Sequence, residues 1–249
     1  MEIVAIIPAR GGSKGIPRKN VVDFCGFPLL SWSIAAAKRC AGISMVYVST
    51  DCPEIARTAR DFGAAVVDRP AELATDHCSS ETALIHACQE IERRSGRQPG
   101  AIVMMQATSP LREAHELDGA IRHFIENGHD SMFSAAYPED FLVWLQEGEG
   151  MRSLNYDWHD RKRRQDAGDS SKLCIETGSF YITQTELLIK SGNRLGGRIG
   201  VWAVPLWESH EIDSPEGLEF CRLLMCHHKL DRLTPAEFRI KNNQDMHHE

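Results

Sequence analysis

The stretch EIVAIIPARGGSKGIPRKN, residues 2–20, joins a short apolar run to a loop that is rich in glycine and basic residues. The apolar run is rich in Ile and Val and ends at Pro8, which is typical of a strand buried on both faces. Ligands of open α/β sheets bind outside the carboxyl ends of such strands, where glycines let backbone amides come close to an anion. The loop therefore predicts an anion site, with positive charge from Arg10, Lys14, Arg18 and Lys19.

The glycine spacing in this loop fits neither the G-x-G-x-x-G nor the G-x-x-x-x-G-K-S/T fingerprint of phosphate-binding loops. The loop alone therefore also allows a second interpretation, in which it is a solvated surface segment. Its position directly after a buried strand favours the binding of a polyphosphate.

Strand-like and helix-like patterns alternate along the rest of the chain. Six further strands are predicted by short apolar runs at residues 44–50, 64–68, 101–106, 130–136, 178–183 and 198–205. Helices are predicted by apolar spacing and end signals at residues 28–40, 51–63, 79–94, 112–128 and 214–230. This alternation predicts a three-layer α/β/α fold with a mostly parallel sheet and right-handed crossovers.

Residues 137–171 break the alternation, because they are rich in turn residues, aromatics and charge and follow no single period. A long irregular segment inside a compact domain is usually functional or part of an interface. We therefore predict one main domain, formed by residues 1–136 and 172–249, into which residues 137–171 are inserted as an arm.

The composition of the 249 residues is that of an ordinary globular chain, with 42% hydrophobic and 25% charged residues. A net charge of −7 argues against general binding to nucleic acids or anionic membranes. No apolar run reaches the roughly 18 residues of a membrane-spanning helix, and residues 3–8 lack the features of a signal peptide. We therefore expect a cytoplasmic protein.

The eight cysteines form no C-x-x-C pair, which fits a reducing compartment. One cluster, CRLLMCHH at residues 221–228, contains two Cys and two His. Adjacent residues on a helix point in different directions and no second ligand pair is evident, so a zinc site is disfavoured there.

The segment PARGGSKGIPRKN, residues 8–20, closely resembles the first motif of the CMP-sialic acid synthetases, also called acylneuraminate cytidylyltransferases. Five further motifs of that family have similar segments in the same order, namely RPAELATDHCSS (69–80), QATSPLR (106–112), RRQD (163–166), ETGSFYI (176–182) and EIDSPEGLE (211–219). The resemblance implies a Rossmann-like nucleotidyltransferase fold. It also implies a reaction in which CTP and a nine-carbon 2-keto sugar acid give the CMP-sugar and pyrophosphate.

The resemblance assigns the opening loop to the triphosphate. Arg10 and Lys19 are expected to be catalytic, by neutralising charge that develops on the phosphates. The other loop residues expected to bind the nucleotide are Gly11, Gly12, Ser13, Lys14 and Asn20. The family motif does not require a basic residue at position 18, so Arg18 stays open between phosphate binding and surface charge.

The resemblance assigns the base and the ribose of the nucleotide to Arg69 and Ser80. The guanidinium fork of arginine suits a pyrimidine carbonyl, and a serine at a helix start can present a hydroxyl and a backbone amide. The residue types alone equally allow a turn arginine and a helix N-cap at these two positions.

A magnesium site is expected at Glu211 and Asp213, which alternate on an extended segment so that both carboxylates face one side. The family has two aspartates at these places. Asp213 is thus the expected direct ligand and catalytic residue, and the longer Glu211 reaches the metal through water. Without the resemblance, both would be interpreted as solvent-facing acids before a helix N-terminus.

The sugar acid is assigned to the end of one strand and to the arm. Gln106 lies at the strand end, and Arg164 and Gln165 lie in the arm, where a guanidinium can pair with the substrate carboxylate. Thr177 stands where the family often has Asn, which leaves sialic acid, its deaminated form and legionaminic acid as possible sugars. The arm corresponds to one that reaches over a neighbouring subunit, so the resemblance implies a homodimer with shared active sites.

Two alternatives remain at this point. One is a related octulosonate cytidylyltransferase, which has the same nucleotide chemistry and uses an eight-carbon acid. The other is a catalytically inactive nucleotide-binding or regulatory protein of the same fold, which the presence of Arg10, Lys19 and Asp213 disfavours.

Overall fold

Strands and helices alternate along the chain, as the sequence predicts. The structure is a computed structural model that describes residues 1–13, 15–139, 142–161, 173–228, 230 and 234–240. Lys14, Arg164 and Gln165, three of the predicted site residues, lie outside the described residues.

The described residues form eleven strands and six α-helices. The strands are β1 (Ile3–Pro8), β2 (Asp23–Phe24), β3 (Phe27–Pro28), β4 (Met45–Thr50), β5 (Ala65–Asp68), β6 (Ala101–Met105), β7 (Ser131–Ala136), β8 (Trp144–Glu147), β9 (Gly150–Ser153), β10 (Ile175–Gln184) and β11 (Ile199–Ala203). The helices are α1 (Leu29–Arg39), α2 (Pro53–Asp61), α3 (Ser80–Ser95), α4 (Ala114–Glu126), α5 (Thr185–Ser191) and α6 (Pro215–His227).

Seven strands form one central sheet, in the order β11-β7-β10-β6-β1-β4-β5. All neighbours in this sheet are parallel except β10, which runs antiparallel to both β6 and β7. The pairing of β10 with β7 shifts register between Glu176 and Tyr181. The predicted fold class, a three-layer structure with a mostly parallel sheet, is confirmed.

The alternation of side chains along β1 shows why the sheet lies between two layers of helices. Ile3, Ala5 and Ile7 belong to a hydrophobic core that also contains residues of α1, α2 and α4. Val4 and Ile6 belong to a core on the opposite face, which contains residues of α3 and α5. Because successive strand residues point to opposite faces, an apolar run without polar alternation requires a cover on both sides.

A third core fixes the last helix against the rest of the chain. Ile212 and Leu218 pack there with Phe24, Leu29 and Trp32. The indole nitrogen of Trp32 donates to the carbonyl of Phe24 at 2.8 Å. Ser214 caps α6 as predicted, since its hydroxyl accepts from the backbone N–H of Gly217 at 3.1 Å. The segment before α6 is thereby held at the carboxyl edge of the sheet.

The helix α5, the two-residue strands β2 and β3, and the hairpin of β8 and β9 were not predicted from the sequence. Helix α5 was missed because seven residues are too few to show a helical period. In the predicted arm, β8 and β9 form an antiparallel hairpin whose residues are largely exposed. No helix in the described part of the chain is long and apolar enough to cross a membrane.

Candidate functional site

A cleft of about 250 Å³ opens at the carboxyl edge of β1 and β6, beside the first turn of α3. The predicted residues Arg10, Asn20, Arg69, Ser80 and Gln106 all line it. These five come from three separate motifs, at residues 8–20, 69–80 and 106–112. The cleft therefore lies where open α/β sheets bind their ligands, and where the sequence placed the anion site.

The loop after β1 is held in place by contacts with later segments. The backbone N–H of Gly11 donates to the Asp51 carboxylate at 3.0 Å, and the Asn20 side-chain amide donates to the carbonyl of Arg10 at 3.0 Å. A Cβ at Gly15 would collide with the carbonyl of Asp213, so only glycine allows this close approach. In contrast, a Cβ at Gly12 would meet no atom within 4 Å, so that glycine borders open space.

The two predicted catalytic cations both form ion pairs. Nη1 of Arg10 lies 2.7 Å from the carboxylate of Asp76, and Nζ of Lys19 lies 2.8 Å from that of Asp213. Asp213 is 71% exposed in its side chain, whereas Lys19 is 16% exposed. An ion pair between two exposed groups contributes only about 0–1 kcal/mol, which describes Arg10 and Asp76, whereas the largely buried Lys19 needs a negative partner beside it.

Arg18 is directed away from this cleft. Its guanidinium pairs with Glu54 at the start of α2, and its side chain is 70% exposed. Arg18 also has a φ of 56°, in the left-handed region. Of the two possibilities left open by the sequence, the structure supports surface charge.

Arg69 is buried and is held by the end of β4. Its Nε donates to the hydroxyl of Ser49 at 3.1 Å, and its Nη2 donates to the carbonyl of Ser49 at 2.6 Å. Burial lowers the pKa of the guanidinium, and the nearby Asp51 carboxylate opposes that change. These two bonds use two of the five N–H groups of the guanidinium. Arg69 is therefore held in a fixed orientation in the wall of the cleft, with further N–H groups that can donate to a ligand.

The start of α3 separates two roles that the sequence could not separate. The N-cap of α3 is Ser79, whose hydroxyl accepts from the backbone N–H of Thr82 at 3.2 Å. Ser80 is the first residue of the helix, and both serines line the cleft, but the Ser79 hydroxyl is already bonded to the helix. The alternative in which Ser80 is the cap is therefore wrong, and its hydroxyl is available to a ligand.

Glu211 and Asp213 lie on one side of an extended segment, because Ile212 between them is fully buried in the third core. The N–H of Ile212 donates to the carbonyl of Thr108 at 2.9 Å and fixes the segment to the loop after β6. The hydroxyl of Ser109 donates to Glu211 at 3.3 Å. Burial, followed by the charge of Asp213, raises the pKa of Glu211, so the two carboxylates are near enough to interact.

The carboxylate pair fits a hard divalent cation. Within the described ranges, no group of three or more His, Cys, Asp or Glu residues is arranged to hold a metal ion. Glu211 and Asp213 could supply two carboxylate oxygens to a metal ion. Water and the phosphates of a bound substrate would complete its coordination shell, which is the arrangement that Mg²⁺ favours.

The predicted sugar-binding residues are only partly brought together. Gln106 lines the cleft, and its side-chain oxygen accepts from the hydroxyl of Thr108 at 3.2 Å. The hydroxyl of Thr177 instead lies 2.7 Å from that of Ser134 and also donates to the carbonyl of Ser134 at 3.1 Å. Thr177 lies in the stretch where the pairing of β10 with β7 shifts register, and its side chain is buried against β7 and does not line the cleft.

Arg112, in the QATSPLR segment, has no role among the sequence predictions. Its side chain is buried and donates to the hydroxyl of Ser179, to the hydroxyl of Ser33 and to the carbonyl of Gln106, at 3.0, 3.3 and 3.1 Å. Desolvation lowers the pKa of this guanidinium to about 9. Of its partners, Gln106 lies in the same QATSPLR segment, whereas Ser33 and Ser179 lie in two distant segments.

Met104 lines the cleft, and a polar cluster of Arg194, Tyr181 and Glu176 lies beside it on the side of β10. The guanidinium of Arg194 lies 4.4 Å from the centre of the Tyr181 ring and within 3.4 Å of the Met104 sulfur. Arg194 also lies 3.5 Å from the Glu81 carboxylate, one residue after Ser80. The Tyr181 hydroxyl donates to Glu176, and burial together with this bond raises the pKa of Tyr181.

Comparison with known proteins adds three findings to this geometry. A family model described as cytidylyltransferase matches residues 4–150. N-acylneuraminate cytidylyltransferase A of Danio rerio is 38% identical over 215 residues, which cover 85% of this chain and 48% of that protein. Pseudaminic acid cytidylyltransferase of Campylobacter jejuni is 32% identical over 228 residues, which cover 90% of this chain and 96% of that protein.

A solved structure shares the fold. It is a CMP:2-keto-3-deoxy-manno-octonic acid synthetase complexed with CTP, with a TM-score of 0.67, and the match covers 92% of this chain and 100% of that chain. Its identity of 17% shows similarity of fold alone. The chain spans about half the length of the Danio rerio relative and almost the full length of the Campylobacter jejuni relative.

Proposed function

Because the chain belongs to the cytidylyltransferase family that includes the CMP-sialic acid synthetases, we propose that it transfers CMP from CTP to a nine-carbon 2-keto sugar acid. The products are the CMP-sugar and pyrophosphate. The observation that carries this proposal is a single cleft lined by Arg10, Asn20, Arg69 and Ser80, with Lys19 and Asp213 paired beside the loop that forms one wall.

The nucleotide base and ribose are assigned to Arg69 and Ser80. Arg69 is held by Ser49 through two of its donors, which leaves others of its fork for the acceptors of cytosine. Ser80 offers a hydroxyl and the N-terminal end of the 16-residue helix α3. This end of the site recognises the nucleotide by hydrogen bonds that the surrounding fold has already oriented.

The triphosphate is assigned to the loop after β1, with its glycine amides and the cations Arg10 and Lys19. The sugar hydroxyl attacks the α-phosphorus in line, and the bond from that phosphorus to the bridging oxygen breaks as pyrophosphate leaves. Negative charge shifts onto the leaving phosphates. Arg10 and Lys19 stabilise that charge when they exchange their carboxylate partners for phosphate oxygens.

Magnesium is the metal that the donor set at Glu211 and Asp213 fits best. When bound, Mg²⁺ would neutralise charge on the substrate phosphates. Asp213, with its exposed carboxylate, would be the direct ligand, and Glu211, which is held by Ser109, would contribute from the more buried side. Because Lys19 is bonded to Asp213, this pair would have to open for Asp213 to hold a metal and Lys19 a phosphate, which would couple the two binding events.

The sugar acid is assigned to the side of the cleft that carries Gln106, next to the cluster of Tyr181, Arg194 and Glu176. This cluster offers a cation, a hydroxyl and a carboxylate, which suit a substrate with both hydroxyl and carboxylate groups. N-Acylneuraminate is the proposed sugar, and pseudaminate is the principal competitor because a relative that acts on it is 32% identical.

A homodimer is proposed, in which residues 137–171 reach the partner's site and carry Arg164 and Gln165. The described part of this arm exposes several large apolar side chains, which is unfavourable in a surface that faces only water. Trp144, Leu145, Met151 and Trp158 are between 37% and 59% exposed. Such a cluster is typical of a surface that another chain covers. Light scattering of the purified protein should give twice the chain mass; a monomer with full activity would contradict the shared site.

The experiment that tests the activity is a panel of sugar acids. The protein is incubated with CTP, Mg²⁺ and N-acetylneuraminate, deaminated neuraminate, legionaminate, pseudaminate or 3-deoxy-manno-octulosonate. Pyrophosphate release and the mass of the CMP-sugar are measured, and a chelator is added in a parallel series. The expected result is a CMP-linked nine-carbon acid that forms only with metal. Turnover of the eight-carbon acid alone would favour the octulosonate enzyme, and absence of turnover with every acid would favour an inactive binding protein.

A further inference from the structure

The side chain of Arg112 joins three segments of the fold beneath the cleft. Its donors bind the hydroxyl of Ser33 in α1, the carbonyl of Gln106 at the end of β6, and both the hydroxyl and the carbonyl of Ser179 in β10. The same two strand segments are also bound to each other, since the N–H of Gln106 donates to the carbonyl of Ser179 at 3.2 Å. The planar fork therefore fixes the relative position of β6 and β10 where the register of β10 shifts.

Among the described residues, no carboxylate forms an ion pair with the Arg112 guanidinium. Glu208 and Glu211 act on it electrostatically, since their charges raise its pKa against the effect of burial. Burying a cation to join neutral acceptors is costly, and a neutral side chain of similar size would join segments more cheaply. Packing alone therefore does not explain a charged side chain here, and Gln106 and Glu211, the candidate site residues near Arg112, provide a better explanation.

Two candidate site residues lie directly on the backbone that Arg112 holds. Gly178, which precedes Ser179, has a φ of 68°, and a Cβ built there would lie 2.7 Å from the side-chain nitrogen of Gln106. The same Cβ would collide with the carboxylate of Glu211. The side chains of Glu211 and Gln106 therefore both pack closely against the Cα of Gly178, and a shift of this turn would displace both side chains.

We propose that Arg112 is a positioning residue for the reaction, which holds the Gln106 and Gly178 backbone as the platform for the Glu211 carboxylate and the Gln106 amide. It contacts neither nucleotide nor sugar in this role. The inference rests on the proposed function, since it explains how the metal and sugar side of that site is kept in register. The base end of the cleft, at Arg69 and Ser80, depends on β4 and α3 and is not held by Arg112.

The test is Arg112→Lys, which keeps a cation but loses the planar fork. The matched control is Arg94→Lys, because Arg94 also donates to a backbone carbonyl, that of Val66 at 2.7 Å, but lies near the far end of α3. We expect Arg112→Lys to lower kcat by about 10-fold or more, as small displacements of reacting groups do, while the KM for CTP stays within about two-fold. Arg94→Lys should change neither.

A second measurement needs no turnover. Electron paramagnetic resonance of added Mn²⁺, with a non-hydrolysable CTP analogue present, reports the affinity of the carboxylate pair. Arg112→Lys should weaken this affinity several-fold. Thermal unfolding should shift more than in Arg94→Lys, because Arg112 is buried and makes more hydrogen bonds, so the proposal is judged by the Mn²⁺ affinity of the folded protein. Unchanged kcat and Mn²⁺ affinity would overturn the proposal, and so would an equal loss in every parameter together with a large loss of stability.

Gly178→Ala provides the decisive variant if Arg112→Lys does not fold. It disturbs the same platform from the opposite side while Arg112 stays in place. Lower kcat and weaker Mn²⁺ binding, with a normal KM for CTP, would support the platform, and wild-type behaviour would refute it. Failure of the proposed function gives a different result, because the unaltered protein would then release no pyrophosphate with any sugar acid while the Mn²⁺ comparison could still be made.

Discussion

The base end and the phosphate end of the cleft hold their cations in different ways. Arg69 is buried, and its bonds run to the hydroxyl and the backbone carbonyl of a neighbouring strand. Arg10 and Lys19 instead pair with Asp76 and Asp213, and in both pairs the acid is substantially exposed. A cation fixed by the fold can orient a ligand, whereas a cation in an exposed ion pair can change partners during a reaction.

This difference indicates how binding and catalysis are divided in the site. Interactions that are equal in the ground state and the transition state lower KM, and interactions that strengthen as charge develops raise kcat. Substitutions at the base end should therefore act mainly on the KM for CTP. Substitutions at the phosphate end should act mainly on kcat and on the requirement for metal.

The largest effect is expected at Lys19. Lys19→Ala removes a cation from the phosphates, and loss of one such donor typically lowers kcat by roughly 10² or more. Steady-state pyrophosphate release, with CTP and sugar acid varied separately, measures it. Arg18→Ala is the matched control, because Arg18 lies in the same loop but pairs with Glu54 on the surface. Equal effects of the two variants on kcat would contradict the conclusion that Lys19 acts on the phosphates while Arg18 is only surface charge.

Arg69 should show the opposite pattern. Arg69→Met removes charged donors from a buried wall of the cleft, and hydrogen bonds to charged groups contribute about 1.5–3 kcal/mol, so the KM for CTP should rise by roughly 10- to 10²-fold. The value of kcat at saturating CTP should change much less. Initial rates over a wide range of CTP concentrations separate the two. A fall in kcat with a normal KM would show that Arg69 acts on the reacting phosphate.

The fold was predictable from the sequence because its signals are local. The Ile- and Val-rich run at residues 3–8 needs two covered faces, and the helical spacing around Leu84 and Leu117 provides them. The hairpin of β8 and β9 was not predicted, because its pattern has no single period. The division into a main domain and an arm stays a prediction.

Only those site residues that belong to a recognisable sequence motif could be predicted. Arg10, Asn20 and Gln106 do meet in one cleft. Arg112 could not be assigned a role in advance, because its partners Ser33 and Ser179 lie 79 and 67 residues away in the chain. The burial of Thr177 likewise follows from a register shift that no local pattern announces.

Asp213 should show an intermediate effect on the phosphate end. Asp213→Asn keeps the size of the side chain but removes its charge, which weakens a metal ligand and also frees Lys19. The Mg²⁺ concentration for half-maximal activity should rise by at least about 10-fold, since loss of even an outer-shell partner of a metal ligand typically costs 10- to 100-fold in metal affinity. Asp76→Asn, which alters the other ion pair, should leave this concentration unchanged. An unaltered metal titration in Asp213→Asn would remove Asp213 from the ligands.

The smallest effects should come from two adjacent serines at the start of α3, and they separate fold from function at the base end. Ser79→Ala removes the helix cap and should lower the free energy of unfolding by about 1 kcal/mol. Ser79 also lines the cleft, but its hydroxyl is bonded to the helix, so the KM for CTP should change little. Ser80→Ala removes a cleft hydroxyl without a capping role and should raise that KM by about two- to ten-fold, at nearly unchanged stability. Urea unfolding and CTP kinetics on the same two preparations measure both quantities. The reverse pattern would mean that the nucleotide contacts the cap itself, and the base end would then depend on its ligand for order as the phosphate end does.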